Sequence, residues 1–238
     1  VATEDKSDMT QRALMVVAKR PMPGLTKTRL CPPLSGEQAA ALYEAFLGDT
    51  LDLIRAARQR IALRPIICYL PDGEADYFRA LAPDFELQLQ QGQDLSKRLA
   101  HATTHALTVL GCQQAAIMNS DSPTLPVGHL VEAFTALEQA DVTLGPTDDG
   151  GYYLIGLKRP APALFLTVQM STPTVYADTL DRAASESLTV HALPACHDVD
   201  YIEDLRTLAE ELPTLPTDIA PRTRAFLSAN PAVLGMRG

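Results

Sequence analysis

The sequence predicts an α/β fold in which a mostly parallel sheet lies between two layers of helices. Short, continuously apolar runs of β-type residues recur along the chain, and each is followed by a longer stretch with helical spacing. This alternation persists from the first apolar run to the last, with no internal repeat, low-complexity segment or long linker. A chain of 238 residues with 46% hydrophobic content suits one large domain with a sizeable core. The expected division is a flexible polar tail over residues 1–12 and a single domain over 13–238.

The elements follow in order. Ala13–Ala18 is apolar throughout, as in a strand buried on both faces. After a loop rich in Pro and Gly, Ser35 and Gln38 form a capping-box pair. Ala39, Tyr43, Phe46, Leu47, Leu51 and Ile54 then recur at helical spacing. Ile66–Leu70 is the next strand, closed by Pro71-Asp72-Gly73, with a short helix over Ala75–Leu81 and a short strand over Leu87–Leu89. Leu95–Leu110 reads as a helix stopped by Gly111. Ala115–Asn119 is a strand and Pro126–Gln139 a helix; Asp141–Leu144 and Tyr152–Leu157 are two further strands. Helices over Pro173–Ser187, Ile202–Glu211 and Pro221–Ser228, and a strand over Leu188–Leu193, complete the pattern.

Composition narrows the function. The net charge is −9 with no basic stripe, which disfavours a nucleic-acid partner. No apolar run approaches the roughly 20 residues of a membrane span. The first twelve residues lack the basic and apolar regions of a secretory signal. Cys31, Cys68, Cys112 and Cys196 form no CxxC pair, so a reduced, cytoplasmic protein without a zinc site is expected. His101 and His105 are spaced i, i+4, but no third ligand accompanies them, so they read as a helix-surface pair. An acidic protein handles a phosphorylated ligand only if cations are gathered locally or a metal intervenes.

Four loops hold the chemistry, because ligands of open parallel sheets sit beyond the carboxyl ends of the strands. The first carries Lys19, Arg20, Lys27 and Arg29 within eleven positions, with Pro21, Pro23 and Gly24 between them. Lysine and arginine suit phosphate oxygens, although a solvated basic loop has the same composition. The second, Asn119-Ser120-Asp121-Ser122-Pro123, sets a carboxylate at a strand end, suited to Mg²⁺ or Mn²⁺ or to an Asx turn. The third, Gly145–Gly156, holds Asp148-Asp149-Gly150-Gly151, which is both a site for close backbone approach to a ligand and a hairpin signal. The fourth, His197–Leu205, places Asp198 and Asp200 at i and i+2, one of them able to face inward as a metal ligand. Glu203 and Asp204 fall where helix capping explains them.

The strings AKRPMPGLTKTRL, YEAFLGDT, NSDSPTLP, LGPTDDGGYYLIGL and HDVDYIEDL, in this order, resemble the bacterial DUF2064 family of glycosyltransferase-A-like nucleotide-diphospho-sugar transferases. Some members are labelled arsenosugar-biosynthesis glycosyltransferases, and the KTRL stretch is similar to one in 2-phospholactate guanylyltransferases. The resemblance implies a three-layer, Rossmann-like glycosyltransferase-A fold. It implies phosphate contacts from Lys19, Lys27 and Arg29, with Lys27 contributing to catalysis, and metal ligation of Mg²⁺ or Mn²⁺ by Asp121 and Asp200. Asp148, Asp149, Gly150 and Gly151 would line the acceptor side, with Asp149 as general base. Where the family has GDLGERM this chain reads QDLSKRL, retaining Asp94 and Arg98 as donor-side residues, and Met170 replaces a tryptophan before Ser171-Thr172.

Two activities are compatible with this pattern. A glycosyltransferase would move a sugar from a nucleotide-diphospho-sugar to a small hydroxyl acceptor. A nucleotidyltransferase would join a nucleoside monophosphate to a phosphorylated acceptor and release pyrophosphate. The adjacent Asp148 and Asp149 favour the neutral acceptor. A non-catalytic nucleotide-binding domain is disfavoured by the presence of both metal-type carboxylates. The partners expected are a nucleotide or nucleotide sugar and a small acceptor, with a homodimer as the assembly considered.

Overall fold

A computed structural model of the chain describes residues 11–235. Its strands are β1 (Arg12–Lys19), β2 (Arg64–Leu70), β3 (Glu86–Leu89), β4 (Gln114–Met118), β5 (Val142–Pro146), β6 (Tyr152–Leu157) and β7 (Val190–Ala192). They form one sheet in the order β3-β2-β1-β4-β6-β5-β7. All neighbours are parallel except β6, which runs antiparallel to both β4 and β5. The expected mostly parallel sheet is therefore present, with the β5–β6 hairpin that the Asp-Gly signal announced. Residues 1–10 of the expected tail lie outside the described residues, whereas Arg12 already belongs to β1.

The helices are α1 (Gly36–Arg58), α2 (Ala75–Leu81), α3 (Leu95–Thr108), α4 (Val127–Ala136), α5 (Ala163–Leu166), α6 (Val175–Ser185), α7 (Ile202–Glu211) and α8 (Pro221–Ala229). The capping box that opens α1 is formed: Gln38 N–H donates to Ser35 Oγ at 3.2 Å and Ser35 N–H donates to Gln38 Oε1 at 2.8 Å. The single turn α5 lacks a capping or periodic signal and was not foreseen; its Leu164 and Phe165 are fully buried, so tertiary packing holds it.

Alternation along β1 divides the core. Leu14, Val16 and Ala18 face one layer, where Leu47, Leu51 and Ile54 of α1 meet Leu130 and Phe134 of α4. Ala13 and Met15 face the other, against Leu99, Ala102 and Ala106 of α3 and Leu164 and Phe165 of α5. Because both faces are covered, β1 is apolar from Ala13 to Ala18. A third cluster extends the expected three layers. Leu42 and Phe46, on the side of α1 away from the sheet, pack with Leu205 and Leu208 of α7 and Leu227 of α8. No helix among the described residues is long and apolar enough to cross a membrane.

A candidate nucleotide-binding cleft

The parallel strands β1, β4, β5 and β7 all end at one edge of the sheet, and β6 begins there. The four loops singled out in the sequence leave from that edge and enclose a cleft of about 680 Å³. Lys19, Lys27 and Arg29, Asp121, Asp149 and Gly151, and Asp198 and Asp200 all line it. Its size is that of a small-molecule pocket.

The loop after β4 is shaped by Asn119. Its Oδ1 accepts from Asp121 N–H at 3.3 Å and from Ser122 Oγ at 3.4 Å. This Asx-type turn is the role considered for Asp121; because Asn119 performs it, the Asp121 carboxylate is left for the cleft. The chain after β7 runs beside β5, with Leu193 N–H donating to Leu144 O at 2.9 Å and Cys196 N–H to Pro146 O at 3.1 Å. It then docks on the β4 loop through Val199 N–H to Asp121 O at 3.0 Å. Asp204 completes the turn by accepting from the N–H groups of Asp200 and Tyr201 at 3.0 and 2.7 Å. Helix capping is thus the role of Asp204, as its position suggested.

These constraints bring Asp121 and Asp200 to a common point, and Lys27 occupies it. The Lys27 ammonium lies 2.7 Å from Asp121 Oδ1, 2.8 Å from Asp200 Oδ1 and 2.7 Å from Val199 O, with 7% of its side chain exposed. Lys27 has φ 48° and ψ 39°, a left-handed conformation that non-glycine residues adopt at a cost. Burial works against its charge, but the pull of Asp121 and Asp200 prevails and holds its pKa above the usual lysine range. The lysine expected on phosphates is therefore paired with the two carboxylates expected on a metal. Arg29 approaches the other face of Asp200, with Nη1 3.2 Å from Oδ2, and rests its guanidinium 5.4 Å from the Tyr201 ring centre.

Asp198 is the residue that spacing alone left undecided. Burial, together with the neighbouring Asp149, Asp200 and Asp121, pushes its carboxyl up to about 7. Tyr43 was also missed as a site residue, since its helical spacing marks it only as core. Its hydroxyl accepts from Lys19 N–H at 3.1 Å and pairs with Ser120 Oγ at 3.0 Å, so it braces the ends of β1 and β4.

Asp149 combines the two roles proposed for its loop. One oxygen, Oδ1, accepts from Thr147 Oγ1 at 2.6 Å and Gly151 N–H at 2.8 Å, shaping the hairpin turn. Gly150 has φ +86° and is packed against the Pro173 backbone; it is not among the residues that line the cleft, although Pro173 is. Asp148 pairs with His197 in a second, smaller cavity next to the first.

Asp94 and Arg98 are not on the cleft wall. Asp94 caps α3 by accepting from Lys97 N–H at 2.8 Å, and Arg98 donates to Gly92 O at 3.1 Å. Both shape the entry to α3, whose Leu95 and Leu99 do reach the cleft. The rings of His101 and His105 stack at 5.9 Å, half-buried instead of on the open surface as expected. No group of three or more His, Cys, Asp or Glu side chains among the described residues is placed to hold a metal by itself. All four cysteines are free thiols.

The model of a family described as an uncharacterized protein conserved in bacteria, DUF2064, matches residues 53–172. No curated protein matches the chain. A crystal structure from Desulfovibrio desulfuricans G20, described as a candidate nucleotide-diphospho-sugar transferase, superposes with TM-score 0.87 at 32% identity, covering 95% of this chain and 98% of that one. A cytidylyltransferase from Leptospira borgpetersenii matches with TM-score 0.56 at 12% identity, covering 96% and 98%. Rv0371c from Mycobacterium tuberculosis, in complex with manganese, matches with TM-score 0.52 at 20% identity, covering 84% and 98%. The last two share the fold. With half its length matched by the family model and 32% identity to the Desulfovibrio desulfuricans structure over 95% of the chain, the chain belongs to the DUF2064 family.

Proposed function

We propose that this protein is a metal-dependent glycosyltransferase that holds a nucleotide-diphospho-sugar in the cleft and passes its sugar to a small hydroxyl acceptor. The observation that carries the reading is the convergence of Asp121 and Asp200, from loops far apart in sequence, on one cation position at the carboxyl edge of the sheet. Two converging carboxylates suit Mg²⁺ or Mn²⁺, hard ions that keep coordination positions for substrate phosphates. Bound there, such an ion would offset the charge that grows on the leaving nucleotide.

The remaining steps belong to side chains of the cleft. Arg29, exposed and fork-shaped, lies beside the metal position and is suited to a bidentate grip on the donor's phosphates. Lys19, at the end of β1, adds a second cation from the same loop. Asp149 keeps its second oxygen, Oδ2, outside the turn hydrogen bonds, where it would accept the proton of an acceptor hydroxyl. The acidic wall of Asp149 and Asp198 disfavours a phosphorylated acceptor, and so disfavours nucleotidyl transfer. Four free thiols suit a reducing compartment, and the reading places the protein in the cytoplasm.

The test is a thermal-shift panel of nucleoside diphosphates, triphosphates and nucleotide sugars, each with and without Mn²⁺. A metal-dependent rise in Tm with a diphosphate or its sugar, lost in Asp121→Asn, is expected. Preference for a triphosphate, with pyrophosphate released on adding a phosphorylated acceptor, would replace the reading by nucleotidyl transfer. No shift with any nucleotide would remove it.

A further inference from the structure

We infer that Lys27 is a tethered cation seated in the position of the divalent ion, and that it must leave this seat before the ion enters. The inference rests on the metal-dependent reading above and adds an exchange step to it. The two oxygens best placed to grip an ion, Asp121 Oδ1 and Asp200 Oδ1, are the two that now grip the ammonium at 2.7 and 2.8 Å. A third bond, to Val199 O at 2.7 Å, fills the ammonium's donor set. With 7% of the side chain exposed, little water screens this seat, and two cations cannot share it.

The stem of Lys27 is suited to release. Its backbone is left-handed, at φ 48° and ψ 39°, on a loop whose neighbour Leu25 is 67% exposed. Arg29, two residues on, already stands at the outer side of Asp200. Once displaced, the Lys27 ammonium stays tethered within the cleft, where the anionic groups of an arriving donor would receive it. Donor phosphates therefore favour the displaced lysine, and the displaced lysine opens the ion's seat. By linkage the two ligands reinforce each other's binding. In the free protein the seat is self-neutralised, which keeps two clustered carboxylates from destabilising the fold when no ion is bound.

The experiment titrates Mn²⁺ into the full chain and follows free ion by electron paramagnetic resonance, with no nucleotide present. The proteins are wild type, Lys27→Met, Arg29→Met and the double variant Lys27→Met/Asp121→Asn. Lys27→Met is expected to bind Mn²⁺ at least about tenfold more tightly than wild type, because the competent empty seat becomes the major state. The double variant is expected to lose that gain. Arg29→Met removes one positive charge beside the same carboxylate without emptying the seat, so its gain should be much smaller. An equal gain in Arg29→Met and Lys27→Met, or equal affinity in wild type and Lys27→Met, overturns the exchange while leaving the metal reading intact. No Asp121-dependent binding in any protein removes the metal reading and the exchange with it.

A second measurement needs only the wild type. Acetic anhydride labelling, read by mass spectrometry, should modify Lys27 slowly without metal and several-fold faster with saturating Mg²⁺. Lys97, with a side chain 51% exposed, is the reference lysine. An unchanged Lys27 rate under saturating Mg²⁺ overturns the exchange.

Discussion

Asp49 on α1 caps α8 across 174 positions of sequence, its Oδ2 accepting from Thr223 N–H at 2.9 Å and Thr223 Oγ1 at 2.7 Å. Its Oδ1 accepts from Arg222 N–H at 3.0 Å, and the residue is 4% exposed. This accounts for the Asp of the YEAFLGDT string, whose Tyr43 reaches the cleft while Asp49 is turned to α8. Gly48 has no Cβ because one would stand 2.5 Å from the Arg222 side chain. Asp49→Ala leaves three buried or half-buried donors without an acceptor. It is expected to lower stability by about 2–4 kcal/mol, read as a lower urea midpoint.

Gly150→Ala and Gly111→Ala separate backbone conformation from crowding. Both glycines have positive φ, +86° and +70°. A Cβ at Gly111 meets open space, so alanine there should cost about 1 kcal/mol. A Cβ at Gly150 would stand 1.8 Å from Pro173 O, so the hairpin or the segment before α6 must shift. Gly150→Ala should cost at least about 3 kcal/mol in denaturation and weaken nucleotide binding through displacement of Asp149.

Asp94→Ala and Arg29→Ala should have opposite profiles. Asp94 caps α3 away from the cleft wall, so its loss should lower the urea midpoint slightly and leave nucleotide affinity unchanged. Arg29 has 58% of its side chain exposed, so its loss should change stability by no more than about 0.5 kcal/mol. Nucleoside diphosphate affinity in Arg29→Ala should fall about tenfold, measured by calorimetry. An affinity loss in Asp94→Ala would return that residue to the donor site.

Asp141 ties the start of β7 to β5. Its Oδ2 accepts from Thr189 N–H at 2.9 Å and Thr189 Oγ1 at 2.8 Å, and Lys158 and Arg159 approach Oδ1 at 3.6 and 3.7 Å. The Thr189 backbone bond is the main cause that depresses its carboxyl below the usual aspartate range. A depressed carboxylate pKa adds stability above the unfolded value of about 3.9, and that stability is lost as pH falls through the folded value. Asp141→Ala should therefore be less stable than wild type at pH 7 by about 1–2 kcal/mol. The gap in Tm should narrow as the pH is lowered below about 4.

The sequence by itself determined the elements other than α5, and the edge of the sheet that carries chemistry. Apolar period, caps and Gly-Pro punctuation act over a few residues, so α2 and α7 could be bounded to the residue and the strands nearly so. It also brought Asp121, Asp149, Asp200, Lys27 and Arg29 into one set, because parallel strands deliver their following loops to one edge. The tertiary structure alone decided how those charges pair. That Asn119, not Asp121, makes the local turn is settled by which of the two side chains folds back on the loop. That Lys27 sits between two carboxylates follows from loops meeting across 173 positions. So does the burial of Asp198 beside three like charges, which no local pattern marks. The layer of α7 and α8 outside α1 is of the same kind, since a helix buried on two sides differs from an amphipathic one only in what packs against it.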